Sequence, residues 1–166
     1  MIVDPQLEWL QATALAMELR ENEWLFPFVE AVHVLAITLV FGSISIVDMR
    51  LIGLASRERS VDQVARSVLP VTWVAFALAV VSGALLFASN APKYAHNDFF
   101  FRKMVLILMA GINMTVFHLI LNPNTNRDAS GRAVPVSDRV VGLVSMVLWI
   151  GVIACGRWIG FTMVGG

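Results

Sequence analysis

The chain has 166 residues, of which 58% are hydrophobic and only 14% are charged. A soluble domain carries about 25% charged residues, so this composition excludes an ordinary water-soluble domain and indicates an integral membrane protein. The 12 basic and 12 acidic side chains balance, which leaves no excess positive charge for binding nucleic acid. The single cysteine excludes an intrachain disulfide and a cysteine-only metal site.

The first 22 residues precede the long apolar runs and differ from them in composition. Acidic side chains outnumber Arg20 in this segment, unlike the basic start of a signal peptide. Leucines recur between polar residues at helical spacing, which is typical of an amphipathic helix. The pattern fits a helix lying along the membrane surface and equally a helix that caps the bundle.

Four continuous apolar runs follow, each long enough to cross the roughly 30 Å hydrocarbon layer. Because the runs do not alternate between polar and apolar residues, they predict helices and not barrel strands. We therefore expect an all-α integral membrane four-helix bundle with an N-terminal amphipathic interfacial helix, in one transmembrane domain over residues 1–166. The interfacial helix is predicted over 1–22 and the membrane helices over about 24–52, 69–90, 98–122 and 138–163.

The basic residues near the helix ends predict an orientation, because loops rich in Lys and Arg stay on the cytoplasmic side. Of the 12 basic residues, those beside the first and third loops outnumber those on the side of the termini. This distribution favours a multi-pass protein of the bacterial inner membrane with both termini on the periplasmic side. The residues beside the loops are Arg50, Arg57, Arg59, Arg66, Arg127, Arg132 and Arg139.

Ionisable side chains within the apolar runs are candidate functional residues, because each costs roughly 2.5 kcal/mol or more to insert. Asp48 and Lys103 lie near predicted helix ends, where snorkelling to the interface lowers that cost. The residues that lie deeper are Glu30, His33, His118 and Arg157.

His33 is the foremost candidate, since its imidazole offers a neutral nitrogen to a transition metal or to haem iron. Glu30 precedes it by one helical turn on the same face and is expected to orient the ring. The alternative is a His33–Glu30 hydrogen bond that only fixes helix packing. Arg157 is expected to bind haem propionates or to pair with Glu30, with snorkelling as the alternative.

Depth in the membrane decides which histidines can share one haem. The first and third helices run parallel, with His33 near the start of one and His118 near the end of the other, so their depths differ by roughly 19 Å. His96, in the loop after the second helix, lies on the same side as His33. We therefore expect one haem b held by His33 and His96. His118 is the other candidate for the second ligand, and it also suits a second haem or a hydrogen bond to Asp48.

Two stretches carry a resemblance to known families. The run HVLAITLVFG from His33, followed by DMRLIG ending at Gly53, resembles small uncharacterised bacterial four-helix membrane proteins. It is also similar to copper-resistance D membrane domains and to the haem-containing four-helix protoporphyrinogen oxidases. The stretch His96–Lys103, HNDFFFRK, looks like the start of their third helix. The resemblance implies that His33 and Lys103 surround a b-type haem or a copper pathway.

The chain departs from both of the better-known families. It lacks a counterpart of the polar fourth-helix motif of the oxidases, and its eight methionines are scattered rather than paired as a cuprous site would favour. The sequence therefore predicts a cytochrome b-like membrane protein that transfers electrons between quinone and a membrane or periplasmic redox partner. Its enzymatic status stays open. The alternatives are a non-catalytic subunit of a larger homo- or hetero-oligomeric membrane complex and a copper-related membrane protein.

Overall fold

A computed structural model describes residues 4–54, 61–117, 119 and 135–164. Within these residues the chain forms helices and no strands. Four of the helices, α3, α4, α6 and α7, are long and apolar enough to cross a membrane, which confirms the expected all-α multi-pass fold. The helices are α1 (Pro5–Gln11), α2 (Ala14–Glu21), α3 (Leu25–Ile52), α4 (Val61–Ser89), α5 (Ala91–Ala95), α6 (Asp98–Val116) and α7 (Val136–Val164).

The outer faces of the long helices are apolar. Large side chains such as Val74, Leu108 and Val147 are exposed along α4, α6 and α7. An exposed apolar surface of this extent marks contact with a membrane or with another protein. The chain therefore associates with the lipid bilayer through these faces.

The first two membrane helices form an antiparallel pair. α3 packs against α4, and two polar contacts fix how they are aligned. Near the start of α3, His33 Nδ1 lies 2.9 Å from Oγ of Ser82, late in α4. Further along, the Thr72 hydroxyl donates to Oγ of Ser43 at 2.8 Å. Position in the sequence rises along α3 as it falls along α4, so the helices run in opposite directions.

The other two membrane helices repeat this arrangement. α6 packs against α7, and α7 packs against α3. The Asn97 amide, just before α6, donates to Oγ1 of Thr162 at 2.8 Å, and the Asn113 amide donates to the Val141 carbonyl at 3.2 Å. α3 and α6 are therefore parallel, as the sequence predicted. We call the end where α3 and α6 begin the α5 end, and the opposite end the Asp48 end.

One helix boundary and one loop differ from those predicted. α4 begins at Val61 and not near 69, with Pro70 inside the helix. Burial of Val61 and Val64 against the bundle stabilises the turns before the proline, although proline in a helix interior costs about 3 kcal/mol. The loop after α4 contains the short helix α5, which has Pro92 in its first turn, where a missing N–H costs little. The predicted end of the third membrane helix, at 122, lies outside the described residues.

The N-terminal segment forms two helices instead of the single one predicted. Thr13 has an extended backbone and accepts a hydrogen bond from the Ala16 amide at 3.4 Å, so it begins a new helix, α2. Ala16 and Leu19 of α2 are buried, and Leu19 packs in the core against α3 and α4. α1 has no buried residues, and its Trp9 is 71% exposed. α2 therefore caps the bundle, while α1 presents its apolar side chains at the surface.

Candidate functional site at the α5 end

His33 lies between α3 and α4 and is held by a serine. Its Nδ1 is 2.9 Å from Oγ of Ser82, and the Ser82 hydroxyl donates to the Leu78 carbonyl at 2.7 Å. A hydroxyl has one proton to donate, and Ser82 donates its proton to Leu78. The proton in the hydrogen bond between His33 and Ser82 is therefore on Nδ1 of His33. The lone pair of the neutral ring then stays on Nε2, the nitrogen that faces away from Ser82.

A glycine on α4 provides the space for the imidazole ring. A Cβ atom at Gly83 would lie 2.9 Å from Cε1 of His33, closer than carbon atoms normally approach. Neither Ser82 nor Gly83 was predicted as a site residue. The sequence did contain a signal for them. Ser82 and Gly83 are adjacent small residues in the apolar run within α4, and that run has no charged residue.

Lys103 turns into the bundle at the same end, which differs from the snorkelling that its position near a helix end predicted. It is half-buried, and a Cβ atom at Gly156 of α7 would lie 3.8 Å from its Nζ. Its positive charge acts on the His33 ring and on the neighbouring Cys155 thiol. Lys103 is therefore close enough to His33 for its charge to act on the ring, and these are the two residues that the family resemblance selected.

Glu30 and Arg157 are both exposed and interact with residues other than His33. Glu30 is exposed and its charge acts on Tyr94 of α5, so the hydrogen-bond partner of the His33 ring is Ser82 and not Glu30. Arg157 is also exposed, and its guanidinium lies over the Phe161 ring at 4.7 Å from the ring centre, a cation–π contact. Arg157 and Glu30 were predicted to pair, but the described residues show each of them interacting with an aromatic side chain instead.

His96 lies beyond the end of α4 and not beside His33. It is exposed, and its Nδ1 bonds to the Pro92 carbonyl at 2.7 Å, at the end of α5. His33 is level with Ser82, which is about 10 Å along the helix axis from the last residue of α4. The two rings are therefore not adjacent as the axial ligands of one haem must be. His118 lies outside the described residues, among which no group of three or more His, Cys, Asp and Glu residues surrounds a metal position.

An aromatic cluster lies at this end, where α4 and α6 meet. The Phe87 and Phe100 rings stack with centres 5.3 Å apart, and Tyr94 packs edge-on against Phe100 at 5.9 Å. Burial among these rings raises the pKa of the Tyr94 phenol, and the negative charge of Glu30 raises it further. The cluster covers the bundle one helical turn beyond Gly83.

Asp48, like Lys103, lies deeper in the bundle than the sequence predicted. The prediction was snorkelling to the interface, but the side chain is only 4% exposed, and Oδ2 has no hydrogen-bond partner among the described residues. Ser145 of α7 is close enough to hydrogen-bond the carboxyl group. α7 approaches closely because Gly142 has no side chain, and a Cβ atom there would lie 3.1 Å from the Asp48 carbonyl oxygen. The pair Gly142 and Ser145, one turn apart, was the signal available in the sequence.

Comparison with known families places these residues in a wider group. The profile of a family of unknown function, DUF6644, matches residues 8–162. The chain belongs to this family. The DUF6644 match includes His33, Asp48 and Lys103, and the expected membership in an uncharacterised family is thereby confirmed. No curated protein and no solved structure matches the chain.

Proposed function

We propose that this DUF6644 protein binds a b-type haem and transfers electrons, with His33 as an axial ligand. The observation that carries the proposal is the His33 ring, which Ser82 holds through Nδ1 so that the Nε2 lone pair remains for a metal. Metal-binding histidines almost always donate the other ring N–H to a fixed acceptor.

The residues around His33 fit such a group. Gly83 lets the imidazole ring pack against α4, and Lys103, whose charge acts on His33, supplies an ammonium group for a propionate. Haem b supplies a one-electron couple when bound. The residues of the chain do the rest: His33 binds, Ser82 orients the imidazole and Lys103 offers a positive charge. His96 is not part of this ligand set, because it lies beyond the end of α4, and that end is about 10 Å along the helix axis from the level of His33.

The surroundings of the site determine its proposed partners. The exposed apolar faces of α4 and α6 give a quinone dissolved in the bilayer direct access to the bundle, and a membrane or periplasmic redox protein is the second partner. The proposed location is the bacterial inner membrane with the α5 end on the periplasmic side. The excess of basic residues beside the first and third loops supports this orientation.

The visible spectrum tests the proposal. The protein is expressed with ample haem, purified in detergent and measured with and without dithionite, and we expect Soret and alpha bands that sharpen on reduction. His33→Ala is expected to abolish them, whereas His96→Ala, at an exposed residue of the same type, is expected to leave them unchanged. A wild-type protein without these bands would overturn the proposal, and bands that survive in His33→Ala would refute the ligand assignment.

A second candidate function is that of a non-catalytic subunit in a larger membrane complex. The contacts of His33 with Ser82 and of Lys103 with α7 favour it, because each also joins two helices. This candidate predicts a colourless protein that co-purifies in a fixed ratio with another chain. The same purification distinguishes the two functions.

A further inference from the structure

A second polar group lies inside the bundle, and the proposed haem site does not use it. Asp48 is 4% exposed, and its Oδ2 lacks a hydrogen-bond partner among the described residues. The carboxyl group is level with Ser145, about 13 Å along α7 from its first residue. A buried carboxylate without full pairing is costly, and an acidic residue within a membrane helix typically marks an ion or proton pathway.

We propose that the Asp48 carboxyl group binds and releases a proton inside the membrane, at the Asp48 end of the bundle. Oδ2, which has no hydrogen-bond partner among the described residues, is the place where the proton is held, and the Ser145 hydroxyl of α7 lies beside the group. Asp48 is one helical turn from the end of α3 at Ile52, about 6 Å along the axis. The proton therefore has a short path to the water at that end.

A proton suits this site better than a metal cation does. Hard cations such as Ca²⁺ and Mg²⁺ take about six or more oxygen ligands, whereas the described surroundings of Asp48 offer its own carboxyl group and the Ser145 hydroxyl. A proton needs one oxygen atom. The described residues also contain no cluster of three or more metal-binding side chains.

Apart from Asp48, the charged side chains described in this half of the bundle are near its end, and none of them is the hydrogen-bond partner of Oδ2. α6 contributes none here, since its charged residues, Asp98, Arg102 and Lys103, lie at the α5 end. Burial and the Ser145 hydroxyl therefore dominate the surroundings of the carboxyl group. The charged residues described at this end are Arg50 on α3, Arg66 on α4, and Asp138 and Arg139 on α7.

Labelling with dicyclohexylcarbodiimide tests the proposal. This apolar reagent reacts with a protonated carboxyl group in apolar surroundings: the acid O–H adds across one C=N bond, and the adduct rearranges to a stable N-acylurea without a leaving group. The full chain in detergent is labelled over a range of pH and mapped by peptide mass spectrometry. We expect a label on Asp48 that decreases as the pH is raised, with no label on Asp138, the matched carboxyl group in the first turn of α7.

Each outcome decides the question. A chain without label at Asp48, or with equal label at Asp138, would overturn the proposal. Protection of Asp48 by sodium chloride at constant pH, but not by choline chloride at the same ionic strength, would also overturn it, because the site would then bind a metal cation. Protein prepared without haem is expected to label equally, so failure of the haem proposal does not affect this test.

Infrared difference spectra keep the proposal testable if Asp48→Asn does not fold. The wild-type protein is expected to show a carboxylic C=O band that shifts in D₂O, and Asp48→Asn should lose it. Ser145→Ala retains the carboxyl group but removes the hydroxyl beside it, so the band should persist at a higher frequency. A spectrum of Ser145→Ala identical to the wild-type spectrum would show that the band arises elsewhere.

Discussion

The two ends of the bundle differ in how one ionisable side chain is paired, His33 at the α5 end and Asp48 at the other. At the α5 end, polar groups are paired across helices: His33 bonds to Ser82, Asn97 to Thr162, and the Lys93 ammonium donates to the Met163 carbonyl at 3.0 Å. At the other end, Asp48 is buried with one oxygen unpaired. A paired group has a fixed orientation, which suits a ligand that needs one geometry. An unpaired buried group makes no hydrogen bond that a ligand would have to replace, which suits a small ligand that binds reversibly.

The largest stability effect is expected from Gly142→Ala, which tests how tightly the Asp48 end is packed. The new Cβ atom would lie 3.0 Å from Cβ of Leu51 and 3.1 Å from the Asp48 carbonyl oxygen, and a backbone atom cannot rotate away. Overpacking of this kind lowers the free energy of unfolding by about 1–3 kcal/mol. Denaturant unfolding in detergent measures the loss.

Gly160→Ala is the matched control for this substitution. It lies on the same helix and its Cβ atom would meet nothing within 4 Å, so it is expected to be neutral or slightly stabilising, because alanine favours helix by up to about 1 kcal/mol. Equal stability of the Gly142→Ala and Gly160→Ala proteins would contradict the close approach of α7 to Asp48.

Substitutions at the two ends are expected to change the free energy of unfolding in opposite directions. Asp48→Leu replaces a buried acid that has an unpaired oxygen with an apolar side chain of similar length, and we expect the free energy of unfolding to rise by about 1–3 kcal/mol. Ser82→Ala leaves Nδ1–H of His33 without its acceptor, and we expect a loss of about 1 kcal/mol. Thermal unfolding of both variants checks the signs, and a loss in both would remove the contrast.

Much of the fold, but less of the site, follows from the sequence. The continuous apolar runs predicted four helices, and their alternation across the membrane made the first and third parallel. The boundary at Pro70 was predicted wrongly, because burial of Val61 and Val64 outweighs the cost of the proline. Such burial depends on which helices are neighbours, and a single sequence does not contain that information directly.

The polar residues show why the site was harder to predict than the fold. His33 was predicted from its apolar surroundings alone, but its partner Ser82 depends on which face of α4 meets α3. Asp48 and Lys103 were both expected to snorkel because they lie near helix ends. Both turn inward instead, since α7 presents a glycine beside each of them, Gly142 and Gly156. Distance from a helix end therefore predicts exposure only when the facing helix is known.

A smaller effect is expected from Gly83→Ala, which tests how firmly the α5 end holds its histidine. The new Cβ atom would lie 2.9 Å from Cε1 of His33, but this contact is with a side chain that can rotate. The cost is the hydrogen bond to Ser82, about 0.5–1.5 kcal/mol. Nitrogen-15 NMR of the imidazole should show Nδ1–H in the wild-type protein and a changed tautomer balance in the variant.

Gly111→Ala, whose Cβ atom would meet nothing within 4 Å, is the control on α6 and should leave the imidazole signals unchanged. If Gly83→Ala also leaves them unchanged, the ring is not packed against α4 as described. If haem bands are present, they should weaken in Gly83→Ala and persist in Gly111→Ala.

The smallest effect is expected on the pKa of Tyr94, through the charge of Glu30 at the surface of the α5 end. Tyr94 is the only tyrosine in the chain, so the absorbance of tyrosinate reports it alone. Burial, and then the charge of Glu30, raises its pKa above the usual value of about 10. Glu30→Gln should lower the titration midpoint while leaving it above that value, because burial is the larger cause. Asp138→Asn, at the opposite end, should not move it.

The same shift makes folding stability depend on pH in a defined direction. The folded chain keeps the phenol proton at a pH where the unfolded chain has lost it, so this contribution to stability is fully present below about pH 10 and is lost as the pH rises through the higher pKa of the folded state. Glu30→Gln should narrow the pH range over which this stability is lost, because it lowers the pKa of Tyr94 in the folded state. Glu30 is exposed, so salt screens its charge, and the wild-type midpoint should approach that of Glu30→Gln as the ionic strength is raised. A midpoint insensitive to both changes would assign the whole shift to burial among Phe87 and Phe100, and would leave Glu30 without a role at the α5 end.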